Sequence, residues 1–221
     1  LCSFHQVRPM KKYKVYLFDF DLTLADGSAW IVECFQTILH RHGYTSCTDS
    51  QCRSTIGMVL EDAFEYLTGV SDPAFCHDLR LEYRQLCRPQ VAERTHFIPG
   101  ADAMLRSRTE DIRIGIVSTK QSDVIWKTLR LNGLENTVDH VIGIEEVQAP
   151  KPAPYGILNA CSHFGVDKSE VLYCGDSTID AEDAKNAGVD FAAVTTGNTT
   201  RAEFEAYPHV AILDALSPDY L

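Results

Sequence analysis

The chain has 221 residues, 45% of them hydrophobic, enough to bury a full core as one large domain or as a core with a smaller insert. Lys+Arg of 20 against Asp+Glu of 31 leaves a net charge of -11, which opposes binding to nucleic acid, and no basic stripe offsets it. No apolar run approaches the roughly 18 residues of a membrane span, and the N-terminus lacks the apolar core of a secretory signal, so the expectation is a soluble cytoplasmic protein without a membrane partner.

Residues 1–9 carry no periodicity and precede Met10 and a basic KKYK, which reads as an extension ahead of a start at Met10. The run Val15 to Phe18 is apolar on both faces, as suits a central parallel strand covered by helices on both sides. Gly27 or Ser28 can cap a helix from Ala29 to His42, with Trp30, Cys34, Ile38 and Leu39 at helical spacing and Gly43 ending it. Helical patterns continue over 49–56, 58–67 and 72–91, and no strand pattern interrupts 28–93. That is too long for an ordinary crossover, so it reads as an inserted helical subdomain, with Pro99-Gly100 marking re-entry. Strand and helix then alternate: helix 101–108, strand 112–118, helix 122–132, strand 140–143, helix 152–164, strand 171–174, helix 179–186, strand 191–194 and a last short strand at 210–213. Repeated strand-helix units imply an α/β fold with a doubly wound parallel sheet.

Eight cysteines, none in a C-x-x-C pair, in a chain too large to need a disulfide framework read as reduced, mostly buried thiols. The chemistry-bearing residues fall at strand ends. Asp19 and Asp21 close the first strand, and strand alternation points both to one side if the geometry persists that far; taken alone they are equally solvated turn residues. Ile114 to Thr119 ends in the hydroxyls of Ser118 and Thr119, able to hold an anionic oxygen with the loop amides or, for Ser118, to cap a helix. Lys151 sits between prolines in a rigid bend, and Pro152 can start the next helix. In Cys174 to Asp180, Asp176 stands at a strand end and Asp180 one helical turn further on. Four carboxylates near one point repel one another and an incoming phosphate unless a cation joins them, and an all-oxygen ligand set calls for Mg2+. With Lys151 and Ser118 added, the pieces suit phosphoryl transfer.

At these residues the chain resembles the haloacid dehalogenase-like hydrolase superfamily, whose four motifs occur here in order: D-x-D-x-T as Asp19 to Thr23, a hydroxyl after an apolar strand as Ser118, K-P-x-P as Lys151 to Pro154, and G-D-S-x-x-D as Gly175 to Asp180. The resemblance implies a Rossmann-like core over 10–25 and 96–221 with an all-helical cap at 26–95. It also implies a Mg2+-dependent phosphatase acting through an aspartyl-phosphate. Asp19 would be the nucleophile and Asp21 the general acid and base. Mg2+ would be held by Asp19, the backbone carbonyl of Asp21 and Asp176, with Asp180 nearby or bound through water. Lys151, Ser118 and Thr119 would hold the phosphate.

Within the superfamily the pattern looks most like phosphoglycolate phosphatases and their sugar-phosphatase and pyrophosphatase neighbours, and Thr55 to Phe64 resembles the cap loop of that branch. The expected partner is therefore a small phosphorylated metabolite, with Arg53 and Arg84 as candidates for a substrate carboxylate, in a monomer or homodimer. The alternatives are a β-phosphoglucomutase-like phosphomutase, an inorganic pyrophosphatase and a receiver-type signalling module. Two residues depart from the family pattern: Leu22 replaces a glycine, and Asp183 stands where alanine is usual.

Overall fold

A computed structural model describes residues 12–221, so Met10 and the extension before it lie outside the described residues. Strand β1 (Val15–Phe18) is buried along its whole length because neighbours flank it on both edges: β4 (Arg113–Val117) and β6 (Val171–Gly175) both run parallel to it, with Val15 opposite Arg113 on one side and Val171 on the other. With β5 (His140–Ile142), β7 (Asp190–Val194) and β8 (Ala211–Leu213) they form a six-stranded parallel sheet in the order β5-β4-β1-β6-β7-β8.

Side-chain alternation splits β1 between two cores. Tyr16 and Phe18 pack with Met104 and Leu105 of α5 (Ala101–Arg106) and Ile125 and Leu129 of α6 (Ser122–Leu131). Val15 and Leu17 pack with Ile157 and Ala160 of α7 (Tyr155–Phe164) and Ala181 and Ala184 of α8 (Thr178–Ala187). Helices on both faces of a parallel sheet make a Rossmann-like α/β core, and such sheets carry their chemistry beyond the carboxyl ends of the strands.

The chain leaves this core through β2 (Ala25–Asp26) and returns through β3 (His96–Phe97), a two-residue antiparallel pair that joins Ala25 to Phe97 and Asp26 to His96. Between them lie α1 (Ser28–Arg41), α2 (Asp49–Ser54), α3 (Leu60–Thr68) and α4 (Pro73–Val91). Their apolar faces enclose a separate cluster around Phe35, Ile38, Phe64, Leu79 and Tyr83, which Val124 of α6 joins from the core.

Some local expectations are corrected. Gly27 occupies the N-cap of α1 but has no side chain to offer, so the Asp26 carboxylate accepts the Ser28 N–H at 2.8 Å instead. Helix α7 starts at Tyr155 rather than Pro152, because residues 151–154 are held as a turn by a hydrogen bond from Ala153 N–H to Pro150 O. The pair β2/β3 and the one-turn helix α9 (Arg201–Phe204) had no counterpart in the sequence reading.

Candidate active site

Asp19 directly follows β1, and its backbone N–H still bonds Cys174 O of β6 at 2.8 Å, so strand geometry carries it into the sheet's carboxyl end. Its Oδ1 meets Lys151 Nζ at 2.8 Å, and the same ammonium lies 2.8 Å from Asp180 Oδ1. All these side chains are buried, which removes the screening that makes surface ion pairs weak.

Asp180 is placed by a reciprocal cap at the start of α8: the Ser177 side chain accepts from Asp180 N–H, while Asp180 Oδ2 accepts from Ser177 N–H at 3.1 Å and from its hydroxyl at 2.6 Å. Gly175 makes room for it, since a Cβ there would fall 2.4 Å from Asp180 Cβ. Asp176 accepts the Thr23 hydroxyl at 2.9 Å, and a Cβ on Gly197 would come within 1.8 Å of its Oδ2. One carboxylate oxygen from each of Asp19, Asp176 and Asp180 lies within 4.8 Å of the other two.

Asp21 lies near enough to Asp19 for its charge to add to the rise of the Asp19 carboxyl. Asp21 turns to Lys120, whose Nζ sits 2.9 and 2.8 Å from its two oxygens. Ser118 is buried, and its Oγ accepts Lys120 N–H at 3.3 Å; it is not a helix cap, since α6 begins at Ser122 behind Gln121. The Thr119 hydroxyl donates to Gly57 O in the loop before α3, at 3.0 Å. Arg53 pairs with Asp26 and Ser28, whereas Arg84 lines the cleft between the helices and the sheet.

The model of the haloacid dehalogenase-like hydrolases matches residues 16–194, a span that contains every residue of this cluster. The chain belongs to the haloacid dehalogenase-like hydrolases. Pyrophosphatase PpaX of Listeria innocua is 32% identical over 178 residues, 80% of each chain, and PpaX of Bacillus cereus is 28% identical over 207 residues, covering 93% of this chain and 94% of that one. A candidate haloacid dehalogenase-like hydrolase from Bacteroides fragilis superposes with a TM-score of 0.90 at 44% identity, over 93% of this chain and 98% of that one. A candidate phosphoglycolate phosphatase from Lactobacillus plantarum shares the fold at a TM-score of 0.82 and 20% identity, over 93% and 96%. The chain is an enzyme, a phosphatase-type haloacid dehalogenase-like hydrolase.

The electrostatics of this hydrolase site call for a cation. Burial pushes the Asp19 carboxyl up to about 6, with Lys151 opposing and Asp180 adding to the rise. Asp176 rises for the same reasons, burial first and then Asp180 and Asp19. Burial alone would lower the Lys151 ammonium, but Asp180 and Asp19 outweigh it and hold it above its ordinary value. One lysine among these buried carboxylates leaves excess negative charge, and Gly197, lacking a Cβ, lets the Asp176 carboxylate pack against its backbone. An all-oxygen set of this kind fits Mg2+.

Three positions escaped the sequence reading. Lys120 is signalled only by standing one residue past the Ser118-Thr119 hydroxyls. Thr23 belongs to the first motif, but its bond to Asp176 needs the adjacency of β1 and β6. Tyr173 is read as a core strand residue, yet its hydroxyl lies 2.9 Å from Asp180 Oδ1 and 3.2 Å from Val117 O, so its single proton serves one at a time.

Proposed function

We propose that the protein is a Mg2+-dependent phosphatase of small phosphorylated metabolites that works through an aspartyl-phosphate on Asp19. The observation that carries this reading is Lys151 Nζ at 2.8 Å from both Asp19 and Asp180, inside a buried group of three carboxylates that share one point.

Asp19, Asp176, the backbone carbonyl of Asp21 and, directly or through water, Asp180 would hold Mg2+. The ion when bound supplies positive charge against the phosphate's equatorial oxygens. Lys151 holds Asp19 in position and adds a second positive charge, and the Ser118 hydroxyl with the loop amides cradles an anionic oxygen. Asp19 bonds to phosphorus as the bond to the leaving oxygen breaks, and Asp21 gives that oxygen its proton. Asp21 then takes a proton from water, whose oxygen attacks phosphorus and releases Asp19 and inorganic phosphate.

For its acid role Asp21 must leave the bidentate grip of Lys120, which an arriving phosphate supports by offering the ammonium a new anion. We further propose that residues 26–95 act as a cap over a core made of 10–25 and 96–221, the Thr119 to Gly57 bond being one contact that closes it. The names of the PpaX relatives favour a second reading, in which inorganic pyrophosphate is the substrate.

The test is phosphate release from p-nitrophenyl phosphate with Mg2+. Asp19→Asn is expected to lower kcat on the order of 10⁴-fold or more without loss of helical circular dichroism, and EDTA to abolish wild-type turnover reversibly. Turnover by Asp19→Asn at the wild-type rate would remove Asp19 as nucleophile.

A further inference from the structure

The cleft beside Asp21 has a composition that its neighbours in the site do not explain. It measures about 120 Å³ and is bounded by Asp21 and Lys120 on the catalytic side, while Phe35, Ile56, Met58, Leu60, Tyr83 and Val124 line its walls. Arg84 of α4 also lines it. Three arginines follow one another along this face of α4 at i, i+4 and i+8, and two have carboxylate partners: Arg80 Nε lies 3.0 Å from Glu61 Oε1, and Arg88 pairs with Asp123. Arg84, between them and partly buried, has neither a hydrogen bond nor an ion pair among the described residues. Burial pushes its guanidinium below the ordinary value, and repulsion from Arg80 and Arg88 adds to the fall, against a smaller opposing pull from Glu61 and Glu145. A partly buried guanidinium with no carboxylate in contact is costly, and an anion that arrives with the ligand removes that cost.

We propose that this cleft receives the leaving group of a phosphate monoester whose body is apolar and about the size of one ring, and that Arg84 binds an anionic group at its far end. The proposal rests on the phosphatase reading, because Asp21 at the mouth of the cleft is there the acid that protonates the leaving oxygen. The size follows from the volume: a cavity of ~150 Å³ takes a benzene ring. The polarity follows from the walls. Apolar side chains make up most of the lining and set the body of the ligand, while the charged and polar ones, Lys120, Arg84 and Arg88 with Thr55, Thr119 and Gln121, suit an anionic group at an end of it rather than charge or hydroxyls along its whole length.

The experiment compares kcat/KM of the full chain with Mg2+ on 4-carboxyphenyl phosphate, 4-methylphenyl phosphate and pyrophosphate. One charge-assisted hydrogen bond corresponds to a preference of about tenfold or more for the carboxylated over the methylated ester. Arg84→Gln is expected to bring that ratio to about 1 through a higher KM for the carboxylated ester, and Arg84→Lys to keep part of it. The ratio is independent of how much of a variant folds. A wild-type ratio near one, a ratio unchanged in Arg84→Gln, or faster turnover of pyrophosphate than of either ester would overturn the inference and leave the phosphatase reading standing. Release of phosphate from none of the three would overturn both.

Discussion

Leu22 has φ +62 in the loop between the two acids and Thr23, the one non-glycine residue with positive φ among the described residues. The left-handed region costs an L-residue roughly 1–2 kcal/mol, which is why the family pattern has glycine there. Leu22 offsets this by burial, at 1% exposure, since burying a leucine is worth roughly 1.5–3 kcal/mol. Leu22→Ala therefore keeps the strain and loses the packing, while Leu22→Gly loses the packing and relieves the strain. Thermal denaturation is expected to place Leu22→Ala ~2–4 kcal/mol below wild type, and Leu22→Gly about 1 kcal/mol above Leu22→Ala, the reverse of the usual order of alanine and glycine. If the glycine variant is the less stable, the strain argument fails. Asp183, the other departure, is fully buried, neither carboxylate oxygen has a hydrogen-bond partner among the described residues, and burial pushes its carboxyl up to about 7. Nothing in the structure explains its presence there.

Among the elements, α8 does most to position charge. Its reciprocal cap ties the Ser177 side chain to the Asp180 backbone and the Asp180 carboxylate to Ser177, so one local structure both starts the helix and aims an acid at Lys151. Ser177→Ala is expected to cost about 1 kcal/mol of stability in denaturant titration and to raise the Mg2+ concentration needed for half-maximal activity, because Asp180 loses its restraint. A stability loss without a change in Mg2+ requirement would confine Ser177 to capping.

Elements of this length were legible in the sequence because their apolar periods ran for several residues, as in α1, α4 and β1. The pair β2/β3 and helix α9 were not, since two residues or one turn give no period to read. The clustering of Asp19, Lys151, Asp176 and Asp180 could be read from motif order. The bonds Thr23 to Asp176, Tyr173 to Asp180 and Lys120 to Asp21 depend on strand adjacency and rotamers that no spacing encodes. The bond from Thr119 to Gly57 O was hidden for a related reason: a hydroxyl at a strand end meets whatever loop folds over it, and no spacing encodes which.

At the scale of the molecule, the fold holds a charge cluster that it destabilises itself. The folded values of Asp19, Asp176 and Asp183 all lie above the ordinary 3.8 of aspartate, Asp19 at about 6 and Asp183 at about 7. Above 3.8 the native state thus binds more protons than the unfolded chain, and stability falls as pH rises through the folded values. Lys151 contributes no slope there, since its folded value is raised from 10.5 and it stays charged in both states. In EDTA the melting temperature is expected to fall by several degrees between pH ~5 and ~8, and Mg2+ to raise it more at the upper end, where protons no longer compete for the ligand oxygens. Differential scanning calorimetry checks this, and a melting temperature that stays level or rises across that range without metal would contradict it.

The most direct measurement asks where the phosphoryl group rests. Asp21→Ala removes the base that activates water, and acetyl phosphate has a leaving group that needs no acid, so the first step should proceed while the second stalls. Acid-quenched Asp21→Ala treated with acetyl phosphate and Mg2+ is expected to carry one phosphoryl group, which peptide mass spectrometry places on Asp19, while wild type carries little because water clears it. Phosphate on another residue, or none under conditions where the wild type releases phosphate, would contradict the account.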